Sequence, residues 1–172
     1  PNHLHGGTFG FDKQEFDCVT AGNHIVCTYF SEHLEEGYPG NVTVRIVYTL
    51  EEDRLTIRSI CQSDRDTLIN LTNHTYFNLD PKKGNIGNHL LEINSDRVYP
   101  VDEFGCTFNQ PFDIKQTPFD FTKLKSLSDC LQSNHPQIVI ARGLDHHFEI
   151  KGSGLRLAAK LKHQGCSVNV YT

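Results

Sequence analysis

The sequence predicts an all-β protein, a sandwich or a barrel, and three observations carry that expectation. Short stretches of alternating apolar and polar residues recur along the 172 residues, with turn residues between them at close intervals. A single segment, 123–131, spaces its apolar residues as a helix would. Strands do not alternate with long helices, which sets aside architectures built on a parallel sheet. The length suits one domain, 1–172, with a core of its own.

Taken in order, residues 1–12 hold His3 and His5 followed by Gly6-Gly7 and Gly10. On an extended backbone the two histidines would share a face, and the glycines would let the chain turn tightly or approach a ligand closely. Segments 15–20 and 24–31 read as strands around a turn at Ala21-Gly22-Asn23, and 35–40 is a loop rich in breakers. The clearest periodicity follows. Val42, Val44, Ile46, Tyr48 and Leu50 alternate with Thr43, Arg45, Val47 and Thr49; after a turn at Glu51-Glu52-Asp53, Leu55, Ile57, Ser59 and Cys61 continue the pattern. This predicts an antiparallel hairpin over 42–62 with one buried face. Residues 80–88 form a loop and 89–94 a strand. Leu124, Leu127 and Leu131 line one side of a helix over 123–131, with Thr122 as its N-cap. Strands are expected at 145–151 and 155–162, the second placing Leu155, Leu157, Ala159 and Leu161 on one face.

The net charge of −5, without a basic run, speaks against a nucleic-acid or anionic-membrane surface. No stretch resembles a signal peptide or a transmembrane span. The chain begins at Pro1, has no methionine and ends at 170–172 as if inside a strand, so a fragment of a longer protein is expected. Six scattered cysteines show no zinc-site spacing and read as free, mostly buried thiols of a reducing compartment, the cytoplasm. Three glycosylation sequons begin at Asn41, Asn70 and Asn73; the last two fall within the stretch richest in functional groups and are read as coincidental.

That stretch is 70–79, Asn-Leu-Thr-Asn-His-Thr-Tyr-Phe-Asn-Leu. His74 offers the side chain whose ordinary pKa lies nearest neutrality, so it can give and take a proton. Tyr76 and Phe77 can wall a small ligand, and Asn70, Asn73 and Asn78 supply donors and acceptors. Two more clusters stand out: His3 and His5 beside Gly6-Gly7, and Asp145-His146-His147, whose two histidines point to opposite faces of a strand. Two imidazoles and a carboxylate can bind a metal, as in a two-histidine, one-carboxylate site, or can hold and protonate a hydroxyl-rich molecule. Spacing alone leaves both open.

Seven strings together carry a family resemblance: Asn2-His3-Leu4-His5-Gly6-Gly7; Gly10-Phe11-Asp12-Lys13; Glu36-Gly37-Tyr38-Pro39-Gly40; 71–79; Pro100-Val101-Asp102-Glu103; Thr117-Pro118-Phe119-Asp120; and Gly143-Leu144-Asp145-His146-His147-Phe148. In that order, over nearly the whole chain, they resemble the motifs of the aldose 1-epimerases, or galactose mutarotases. The resemblance implies a large antiparallel β-sandwich, here truncated at both ends, that interconverts the α and β anomers of free aldoses such as galactose and glucose without metal or cofactor. By the same resemblance His74 matches the general acid at the sugar ring oxygen. His5 and Asp145 match residues that hydrogen-bond the sugar, and Tyr76 lines its pocket.

The departures bear on catalysis. The family's general base is a glutamate towards the C-terminus and a sugar-binding arginine precedes the His-Gly-Gly motif; neither position falls within this chain. Glu36 and Glu103 stay open as substitutes for the base. Gly105-Cys106-Thr107-Phe108-Asn109 and Gln164-Gly165-Cys166 replace two of the family's turns. The expectations are therefore an epimerase, a hexose-binding relative that does not turn over, or, third, a metal-dependent enzyme of the cupin kind using His3, His5 and a carboxylate.

Overall fold

The first half of the chain builds one four-stranded antiparallel sheet in chain order: β1 (Asp17–Ala21), β2 (His24–Ser31), β3 (Val42–Glu51) and β4 (Arg54–Ser63). The computed structural model describes residues 3–172 and divides between His74 and Thr75 into two compact units. In the first, β3 and β4 pair without interruption from Val42↔Ser63 to Glu51↔Arg54, matching the hairpin expected over 42–62. The alternation also does what a period of two should. Val42 and Val44 are buried on the face that Ile46 and Tyr48 continue. Burial fades along that face, and its far end, at Ile25, Leu50 and Leu55, is exposed.

The second unit has two antiparallel sheets. One orders as β11 (Cys166–Tyr171), β10 (Leu157–His163), β5 (Leu90–Ile93) and β8 (Lys125–Ser126); the other as β7 (Phe112–Asp113), β6 (Ser95–Val98) and β9 (Phe148–Ile150). Ile93, Val98, Ile114, Phe119, Phe121, Leu127, Cys130 and Ile138 form its core. Burial of the two phenylalanines alone contributes several kcal/mol, at roughly 1.5–3 kcal/mol for each such side chain.

Four expectations are corrected here. The helix over 123–131 shrinks to α1 (Leu127–Leu131), because Lys125 and Ser126 pair with Leu91 and Leu90 of β5, and Ser126 rather than Thr122 accepts the capping hydrogen bond, from Ser128 N–H. A second helix, α2 (Pro136–Ala141), follows, with proline in its first turn and the His135 ring accepting from Gln137 N–H. On β10 the register shifts between Leu157 and Ala159, so Ala158 is buried while Leu155 and Leu157 are exposed. One extra residue in a strand inverts the faces beyond it. Residues 66–80 carry neither helix nor strand. The cysteines are expected to be mostly buried, but only Cys130 is; Cys18 and Cys166 are exposed.

Candidate functional site

The backbone at 4–7 turns back on itself, with Gly7 N–H donating to Leu4 C=O at 3.2 Å and His5 in the left-handed region at φ 55°. His3 and His5 therefore do not share a strand face, and the metal arrangement that depended on it fails for a geometric reason. His3 Nδ1 lies 3.1 Å from Tyr38 Oη, whereas the His5 ring meets His74 edge-on with centroids 5.8 Å apart. Among the described residues no group of three His, Cys, Asp or Glu is placed to hold a metal ion.

His5 and His74, separated by most of the first unit's sequence, are thus brought together on its surface, both exposed. His5 Nδ1 is 3.5 Å from an Asp12 carboxylate oxygen. A carboxylate on one ring nitrogen favours the proton there and leaves the other nitrogen to accept. The pair so arranged can hydrogen-bond a polyol and exchange a proton with it.

The loop that carries His5 is held by Glu36, which motif spacing left open as a possible base. Its two carboxylate oxygens accept the backbone N–H groups of Thr8, at 2.8 Å, and Phe9, at 3.0 Å. Glu36 reaches them from a 3₁₀ turn, Glu35–Gly37, inside which its own backbone is left-handed at φ 47°. The approach is close enough that a Cβ on Gly7, itself at φ 128°, would overlap the carboxylate, and one on Gly10 would overlap His5 C=O. These glycines are needed for packing backbone against backbone and side chain. Beside Glu36, the Glu35 carboxylate accepts from Gln14 at 2.8 Å and from the Tyr29 hydroxyl of β2. Burial, reinforced by that carboxylate, pushes the Tyr29 hydroxyl up to about 12.

In the second unit, Tyr76 is 87% exposed, and Phe77 is half-exposed. Asn78, expected to offer its amide to a ligand, is occupied: its oxygen accepts from Asp80 N–H at 3.0 Å and its nitrogen donates to Gly84 C=O at 3.0 Å. The segment is anchored by His89, which sequence reasoning passed over as the first residue of a strand. His89 has no exposed surface; its Nδ1 lies 3.1 Å from Ile86 C=O, and its Nε2 accepts Leu79 N–H at 2.9 Å. That assignment fixes one neutral tautomer, and His163 stacks on the ring at 4.4 Å.

Asp145 is exposed, in the loop that follows α2. The strand expected over 145–151 is only β9, Phe148–Ile150, so His146 and His147 lie before it and not on opposite faces of a strand; His147 is exposed and His146 is structural. The His146 ring packs against Phe119 at 4.6 Å, with Nε2 3.2 Å from the Gln137 side-chain oxygen. Burial holds its pKa below the ordinary histidine value, an effect the Asp145 carboxylate only partly offsets. Gln137, on the helix that pattern reasoning missed, also clasps Val101 through both backbone groups at 2.7 and 3.2 Å. Glu103, the other carboxylate left open as a base, is exposed in the turn that Asp102 caps through Phe104 and Cys106 N–H.

Comparison with known proteins agrees over the whole length. The aldose 1-epimerase family model matches residues 1–172. Galactose mutarotase from Bos taurus is 37% identical over 176 residues, covering 100% of this chain and 50% of that protein, and the Homo sapiens protein is 36% identical with the same coverage. Aldose 1-epimerase from Escherichia coli is 33% identical, covering 99% of this chain and 51% of that one. The structure of galactose 1-epimerase from Lactobacillus acidophilus superposes with a TM-score of 0.82 at 34% identity, over 94% of this chain and 48% of that one. An aldose epimerase homologue from C. elegans, 24% identical, shares the fold with a TM-score of 0.83. The antiparallel all-β fold of the galactose mutarotase type is therefore the fold of this chain. The chain spans about half the length of the curated relatives it matches.

Proposed function

The chain belongs to the aldose 1-epimerase family, and from that premise we propose that it acts on free hexoses, galactose and glucose, interconverting their α and β anomers by acid/base ring opening and closure. The observation that carries the proposal is the His5–His74 pair: two imidazoles in edge contact, one backed by the Asp12 carboxylate, on a loop that Glu36 and two glycines hold in shape. In this reading His74 protonates the ring oxygen as the C1–O5 bond opens while a base takes the proton of the anomeric hydroxyl, and the two transfers reverse on closure. Rotation about C1–C2 between opening and closure exchanges the anomers. His5, Tyr76 and Asp145 bind the sugar hydroxyls or its apolar face, and their exposure leaves them accessible to a solute. The reaction needs no cofactor, since both proton transfers run between side chains and the sugar.

We propose further that residues 1–172 are one partial domain, which the uninterrupted family match supports. A cytoplasmic location is in keeping with six cysteines scattered along the sequence, and the acidic chain has neither a nucleic-acid nor a membrane partner in this reading. Among the described residues no helix is long and apolar enough to cross a membrane.

A second reading, hexose binding without turnover, is favoured by the state of Glu36. With both oxygens on backbone N–H groups it is a brace rather than a free base. Polarimetry separates the two. Decay of the optical rotation of fresh α-galactose should be accelerated by the chain, and a His74→Ala variant should lose about 10²–10⁴-fold of that acceleration. A folded chain that leaves the rate at that of buffer, yet shifts its amide spectrum with galactose, would establish binding alone.

A further inference from the structure

We propose that Cys18 and Cys27 are a paired redox site, two thiols that close reversibly into a disulfide across the β1–β2 hairpin when the chain meets a peroxide or a low-molecular-weight disulfide. The register sets them directly opposite each other. Ala21 and His24 close the hairpin over a two-residue turn, so they are a hydrogen-bonded pair, and pairs alternate in kind from there. Cys18 and Cys27, three steps along, form a non-hydrogen-bonded pair. In such pairs the Cα atoms stand about 4.5 Å apart, inside the window of roughly 4.4–6.8 Å that a disulfide spans. Both side chains point to the same face of the sheet. Among the described residues no other two cysteines are register partners: Cys61 faces Val44 and Cys166 faces His163.

Access and chemistry agree with the placement. Cys18 is exposed and Cys27 half-buried, so Cys18 meets the oxidant and Cys27 resolves it. The neighbouring Cys18 thiol, with burial, pushes Cys27 up to about 11, which keeps it protonated until its partner is oxidised. With hydrogen peroxide, the Cys18 sulfur attacks the O–O bond to give a sulfenic acid and one water. The Cys27 sulfur then forms the S–S bond, and the departing hydroxide leaves with the Cys27 proton as a second water. Two thiols lose two electrons and two protons, and peroxide is reduced to two waters. A bridge between strands that are already paired must accept the geometry of the ladder, which favours its reduction by a dithiol.

The test uses the full chain in its folded state. After graded hydrogen peroxide, free thiols are alkylated and the protein is digested with trypsin. Cleavage after Lys13 and Arg45 leaves residues 14–45 as one peptide whose only cysteines are Cys18 and Cys27. The expected result is loss of both alkyl groups from this peptide together with two hydrogens of mass, restored by dithiothreitol. Glutathione disulfide should produce the same product without a lasting glutathione adduct. In a Cys18→Ser variant Cys27 should stay alkylatable, and in Cys27→Ser the Cys18 sulfenic acid should persist long enough to be trapped by dimedone. The proposal is overturned if both thiols of 14–45 remain alkylatable while Cys166 is consumed. It is equally overturned if Cys18 goes on to sulfinic acid or a stable mixed disulfide with Cys27 untouched, or if Cys27 is blocked in Cys18→Ser.

Discussion

His89 joins Leu79 N–H to Ile86 C=O through one buried imidazole, and so ties down the end of the segment that carries Tyr76 and Phe77. Replacing it with alanine strands a backbone donor and removes a stacked ring from His163. His89→Ala should cost about 2–4 kcal/mol in urea unfolding and speed amide exchange at Leu79. Unchanged exchange at that one amide would mean the tether does not hold the segment. Such a residue is hard to find from sequence because nothing around it has a spacing; it belongs to a buried bond between a loop and a strand start. His74 and His5 stand out in the sequence for the opposite reason, since each sits in a string dense with functional groups. Glu36 stays open in the sequence as a substitute base but shows no sign of being a brace, because that role depends on a left-handed backbone and on two N–H groups far away in sequence.

At the level of elements, strands with strict alternation were recovered almost residue for residue, and helices were not. The apolar spacing at 124, 127 and 131 fits a helix, yet sheet pairing takes Lys125 and Ser126 away from it. The segment that does become α2, Pro136–Ala141, is rich in β-branched residues, which favour strands; its one helix signal is a proline in the first turn after a residue able to cap. β10 was recovered with the wrong face outward at its start because a bulge leaves no mark in a pattern of Leu and Ala. The junction of β2 with the Glu35–Gly37 turn offers a pH test. The raised Tyr29 hydroxyl favours the neutral form in the folded chain, so its stabilising contribution is complete below its ordinary value of 10 and is lost as pH rises towards about 12. The stability difference between the chain and Tyr29→Phe should therefore be flat from pH 7 to 9 and shrink across that window. A constant difference would show that the Tyr29–Glu35 bond does not shift the titration.

For the whole molecule, the matter left over is apolar surface. Leu50 at 59% and Leu55 at 58% exposure lie beside Ile25 at the open end of a face whose other end is core. Contiguous patches of this kind drive association in soluble proteins. Sedimentation should show the isolated chain associating as concentration rises, and Leu50→Ser with Leu55→Ser should suppress it without loss of the β-sheet spectrum; equal association in the double variant would place the sticky surface elsewhere. The order of seven motifs along the chain made the fold legible, whereas no periodicity could report how far along β3 its inner face stays covered. The contact of Gly7 with Glu36 has a bearing on descent as well. Because the carboxylate fills the volume where a side chain at 7 would begin, a change at either position alters what the other can tolerate. A lineage that acquires another residue at 7 must first draw the glutamate at 36 aside, and one that loses the glutamate still meets at 7 a backbone, φ 128°, that favours glycine.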